Sequence, residues 1–106
     1  MATHSTVHIP TREGSRYLRR LCKHWSHSLA VEFNDDAGSV VFPRDARGAN
    51  WPGDARLVLH AHADTLECRL ETSDAGQLDA LKGAVARHLE RFAHREGELQ
   101  FPWQDA

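Results

Sequence analysis

The sequence predicts an α+β domain of two layers, an antiparallel sheet with two helices packed on one face, in the order β-α-β-β-β-β-α-β. Three observations predict it. Two segments carry apolar residues at the three- and four-residue spacing of an amphipathic helix. Several short segments alternate apolar and polar residues, and no strand–helix–strand run suggests a parallel sheet. At 106 residues the whole chain, 1–106, is expected to form one domain with one core, far below the roughly 250 residues of a barrel enzyme.

Val7 and Ile9 alternate with Thr6 and His8 before Pro10, a short first strand. Ser15 is placed to cap a helix running to about Ser28, with Tyr17, Leu18, Leu21, Cys22, Trp25 and Leu29 on its apolar side. Ala30 to Phe33 and Ser39 to Phe42 form a hairpin across Asn34–Gly38, with Gly38 available for a positive φ. Pro43 ends it, and residues 44–54, RDARGANWPGD, make a long polar connection carrying Trp51. A second hairpin follows with its turn at Ala63-Asp64, which sets Leu59 opposite Cys68 and His60 opposite Glu67. Ser73 or Asp74 caps a second helix carrying Leu78, Leu81, Val85, Leu89 and Phe92 and ending near Gly97. Leu99, Phe101 and Trp103 alternate as a final strand.

Thirteen Lys and Arg against fifteen Asp and Glu leave a net charge of −2, too little to attract nucleic acid or an anionic membrane. The only basic cluster, RYLRR at 16–20, fits the solvated side of a helix. The N-terminus lacks a basic then apolar leader and no stretch approaches the ~20 apolar residues of a membrane span, so a cytoplasmic protein is expected. Two cysteines there are expected to stay reduced. No glycine-rich phosphate loop, zinc ribbon, Cys-x-x-Cys or Gly-x-Ser-x-Gly occurs, which leaves the cofactor open and any enzyme unadvertised.

The stretch LCKHWSHS, 21–28, suggests a Cys22-x-His24-x-x-His27 site, but helical angles oppose it. At 100° per residue Cys22 points about 160° from His24 and about 140° from His27, so the three cannot converge on one ion. Cys22 belongs to the buried face, His24 to its margin, and His27 nearly opposite. On the second helix His88 holds the matching margin, so Tyr17, His24, His88 and Arg95 are expected to line a groove between the helices. Lys23 or Arg95 would hold an anionic group there, and a satisfied hydrogen-bond network is the plainer use of the same residues. His60, His62 and Glu67 share the outward sheet face and form a weak metal candidate, with a cross-strand His60/Glu67 pair as the plainer expectation.

The segments YLRRLCKHWSH (17–27), VEF (31–33), HLERFAHRE (88–96) and LQFPWQ (99–104) resemble domain of unknown function 2218, a small bacterial family without an established activity. The resemblance covers nearly the whole chain. It implies an accessory role in iron or siderophore utilisation, since some relatives carry this domain beside a siderophore-interacting flavin reductase domain. His94 stands where that pattern commonly has Phe, the 44–54 connection is longer than usual, and His60 and His62 are not part of the pattern. Three functions are carried forward. The first is a small-ligand-binding accessory domain with its site at His24 and His88. The second is a small enzyme using His24 or His88 as general base. The third is an interaction module, as a homodimer or beside a reductase partner, using a sheet edge or the Trp51 loop.

Overall fold

A computed structural model describes residues 2–93 and 99–106. The elements are β1 (His4–Pro10), α1 (Gly14–Trp25), β2 (Ala30–Phe33), β3 (Ala37–Phe42), β4 (Ala55–Ala61), β5 (Thr65–Glu71), α2 (Ala75–Phe92) and β6 (Gln104–Asp105), with a short 3-10 turn at Ala46–Gly48. All strand pairs are antiparallel and the sheet order is β2-β3-β4-β5-β1-β6. The class, layering and element order are those expected from the sequence.

Alternation sorts the strands into two faces. Val7, Ile9, Val40, Phe42, Leu57, Leu59, Leu66, Cys68 and Leu70 are buried, and with them Tyr17, Leu18, Leu21, Cys22 and Trp25 of α1 and Leu78, Val85 and Leu89 of α2. The helices therefore cover one face and leave His8, Arg56, His60 and Arg69 on the other. The β4–β5 register sets Leu59 against Cys68 and His60 against Glu67, as the alternation requires.

Element ends differ from the sequence expectation in five places. Ser15 does not cap α1: the helix begins at Gly14, and the Ser15 hydroxyl donates instead to the Asp35 carbonyl at 2.7 Å. The helix also stops at Trp25, where Ser28 and Leu29 amides turn back onto the Trp25 carbonyl. Gly38 lies within β3 and has no positive φ, because the Asn34 side chain makes the turn by accepting from the Asp36 and Ala37 amides. Helix α2 ends at Phe92 rather than near Gly97, which lies outside the described residues. The final strand is only Gln104–Asp105, beside Thr6 and Ser5: Pro102 has no N–H to give a ladder, and Leu99, Phe101 and Trp103 pack on the core.

At the start of α2 the cap is Asp74, whose carboxylate accepts from the Gly76 and Gln77 amides. Gln77, 1% exposed, fastens the long connection to this helix. Its amide donates to the Gly53 carbonyl at 3.0 Å and its oxygen accepts from the Ser73 amide and hydroxyl at 2.8 and 2.6 Å. Trp51 closes the seam: a Cβ on Gly76 would come within 3.1 Å of its ring.

Gly38 is required for close approach rather than for a turn. A Cβ there would meet the Cys22 sulfur at 2.9 Å and the Phe33 Cβ at 3.1 Å. Gly38→Ala is expected to cost about 1–3 kcal/mol by overpacking, read from the denaturation midpoint, and to cost less when Cys22→Ala is already present. Additive costs would show that the two positions do not press on one another. Gln77→Leu is expected to lose about 1–3 kcal/mol in the same measurement, since the Ser73 amide loses its buried acceptor.

Candidate functional site

Helix α1 presents its last turn, and α2 its penultimate turn, on the same edge of the molecule. His24 and His88 meet there with ring centroids 5.0 Å apart and planes tilted by 53°. His88 also lies 4.9 Å from Trp25, which stands edge-on to Phe42 at 5.1 Å, so the imidazole rests on the core. The His88 Nδ1 donates to the Ala84 carbonyl at 2.6 Å, since a carbonyl can only accept. That bond fixes the ring on its own helix and leaves Nε2 as the atom free to act.

The groups that act on His24 are all basic. The His24 ring is held below the usual histidine value of 6.5, first by partial desolvation and then by repulsion from His88, His27, Arg91 and Arg47. His27, Arg47 and Arg91 are all exposed. Among the described residues none of His24, His27, Arg47, His88 and Arg91 is ion-paired with a carboxylate. The arrangement can accept a proton, or hold an anion, at an exposed edge with a rigid floor.

The other candidates from the sequence fall differently. Tyr17, two turns before His24, is 3% exposed and part of the core, so it does not present its ring at the open edge. Lys23 is exposed beside His24 but is not among the charges that act on it. Arg95 lies outside the described residues. Cys22 is buried, and desolvation pushes its thiol up to about 11, while burial raises Cys68 as well; neither supplies a thiolate. The apparent Cys22-His24-His27 set is thus divided between the core and the surface.

The sequence did not single out Arg47, one of the charges that act on His24, and gave Arg91 no role. Arg91 follows His88 by three residues on one helix face, a legible spacing. Arg47 comes from the long connection, and nothing in the local sequence says where that connection is anchored.

On the uncovered sheet face Glu67 sits between β4 and β1. Its Oε1 accepts from His62 Nε2 at 3.0 Å, and His8 Nε2 lies 3.7 Å away. His60 is its cross-strand partner, with its ring 6.5 Å from that of His62. The His62 hydrogen bond is the main reason the Glu67 carboxyl lies below the usual range. The expected His60/Glu67 apposition is present in the backbone, but the hydrogen bond comes from His62. Among the described residues no group of three or more His, Cys, Asp or Glu is placed to hold a metal ion, the weak His60, His62, Glu67 candidate included.

The fold and this edge define a small two-layer α+β domain with a histidine pair between its helices. The chain belongs to an uncharacterised protein family conserved in bacteria, DUF2218, whose model matches residues 6–104. It is similar to PA4090 of Pseudomonas aeruginosa, known from an NMR structure, with 34% identity over 98% of this chain and 96% of that one and a TM-score of 0.72. No curated protein matches the sequence. No described helix is long and apolar enough to cross a membrane.

If the two rings share one environment, removing His88 should raise the His24 pKa toward 6.5. Ring-proton NMR titration of His88→Ala against the parent protein checks this, and an unchanged titration would mean that the rings do not interact. The lowered value also carries a sign for stability: folding is helped by His24 above about pH 6.5 and that help is lost as pH falls through its folded pKa.

Proposed function

We propose that this protein is a cytoplasmic, non-catalytic accessory domain that binds a small molecule at the edge between α1 and α2. The observation that carries the reading is the His24/His88 pair, 5.0 Å between centroids, in which His88 is held by Trp25 and the Ala84 carbonyl. The half-buried His88 ring, fixed by Trp25 and the Ala84 carbonyl, is pre-organised for recognition, since little of its side-chain freedom remains to be lost on binding, and the exposed His24 ring packs against it. In the iron or siderophore setting that the family resemblance implies, the bound species would be an iron chelate.

A second reading has its own support. With Nδ1 committed to Ala84, His88 offers Nε2 as a proton acceptor in a fixed direction, the arrangement a general base needs. The interaction-module reading has less to stand on at its aromatic, because Trp51 is half-buried against Gly76.

Native mass spectrometry of untagged protein, with iron analysis of the same sample, tests the leading reading. The parent protein is expected to retain a small molecule that the His24→Ala/His88→Ala double variant loses. Retention unchanged by the double variant would remove the site from this edge. Conversion of the retained molecule by the parent, abolished in His88→Ala, would replace the binding domain with the enzyme.

A further inference from the structure

We infer that the α1/α2 edge binds a divalent transition-metal ion, held by Nε2 of His88 and a ring nitrogen of His24, with its other positions open to a small chelating molecule. This rests on the ligand-binding reading above and adds what the two imidazoles grip.

The spacing of the rings is that of a shared ion. An ion about 2.0 Å from a ring nitrogen lies about 3.2 Å from that ring's centroid, and a tetrahedral angle between two such rings puts their centroids about 5 Å apart. His24 and His88 stand at 5.0 Å. Face-to-face stacking would send their nitrogens out along parallel lines, whereas planes tilted by 53° let two nitrogens turn toward one point.

The second observation is the far side of the His88 ring. A histidine that ligates a metal almost always donates its other N–H to a carbonyl or carboxylate, which fixes the tautomer and aims the remaining lone pair. Nδ1 of His88 makes that bond to the Ala84 carbonyl at 2.6 Å, and Trp25 backs the ring at 4.9 Å. Nε2 is left as the ligating atom. His24 is exposed and, among the described residues, takes part in no hydrogen bond or ion pair, which leaves its ring nitrogens available. Its lowered pKa keeps it unprotonated at neutral pH, the form that ligates.

Imidazole nitrogen suits zinc, copper, nickel and iron rather than the oxygen-bound calcium and magnesium. Two protein ligands are fewer than the four of a closed structural site, so the ion keeps positions for an exogenous ligand. A molecule that chelates such an ion would bind here by sharing it. The basic groups that act on His24 repel a bare dication, and the free ion is expected to bind with modest affinity.

The test is a titration with zinc chloride at pH 7.5, followed by NMR of the ring protons and nitrogens. Ring packing alone leaves His88 Nε2 in water; the metal takes it. The His24 and His88 signals are expected to shift together and saturate, ahead of those of His8, His60 and His62, with His88 ligating through Nε2 while its Nδ1 stays protonated. Cobalt(II) in place of zinc should broaden the Trp25 indole signals, since that ring lies 4.9 Å from His88. His24→Ala, at an exposed position, and His88→Phe, which keeps a ring against Trp25, are each expected to weaken zinc binding at this edge by at least about tenfold. A response confined to one ring, an affinity that ignores both substitutions, or no response at either ring would overturn the inference. Were zinc silent while the untagged protein retained a metal-free molecule that the double variant loses, the metal would be wrong and the ligand-binding reading right. Saturable zinc binding with no small molecule retained would uphold the metal site and remove the small molecule from it.

Discussion

Helix α1 lies so close to the sheet that β3 can carry no side chain beneath Cys22. The Cys22 sulfur would be 2.9 Å from a Cβ on Gly38, and Phe33 closes the other side of the same gap. This near-contact fixes the height of α1 above the strands. It sets Tyr17, Leu18 and Leu21 into the core and brings Trp25 edge-on to Phe42 at the end of β3. The depth of Trp25 in turn decides how far His24 and His88 stand from the core surface. A helix raised by one methyl group would loosen the floor on which His88 rests, since packed interiors transmit such strain.

The second constraint is the fastening of the long connection. An eleven-residue stretch between strands would ordinarily roam, yet here the Arg44 amide donates to Asp54 and the Trp51 amide to the Arg44 carbonyl, closing the stretch on itself. Gln77 and Ser73 then tie Gly53 to the start of α2. A loop held at both ends can keep Arg47 in an unfavourable conformation. The two faces of the sheet divide the remaining work: one is spent on the core, and the other carries histidines paired with Glu67 in water.

Much of this molecule is legible in the residues. The period of three and four in 17–29 and 78–92, against the alternation in 57–61 and 66–70, is enough to state two helices, two hairpins and the order of elements along the chain, because burying apolar groups on one side leaves few alternatives. The same angles separate Cys22 from His24 and His27. The matching margins of His24 and His88 follow from two amphipathic helices sharing one sheet face. Boundaries were less legible where a side chain found a better use than the one its type suggests, as Ser15 did with the Asp35 carbonyl and Asn34 did in place of a glycine turn.

The sequence by itself determined the class, the faces and the pairing of Leu59 with Cys68, because these depend on periodicity, which is local. Only the tertiary structure decided that the His24 and His88 rings meet at 5.0 Å, that His8 and His62 rather than His60 approach the Glu67 carboxylate, and that Tyr17 is enclosed. Each of these depends on where a segment distant in the chain is anchored. That anchoring is made by hydrogen bonds such as those of Gln77 and by close contacts such as Cys22 on Gly38, for which no period in the sequence exists.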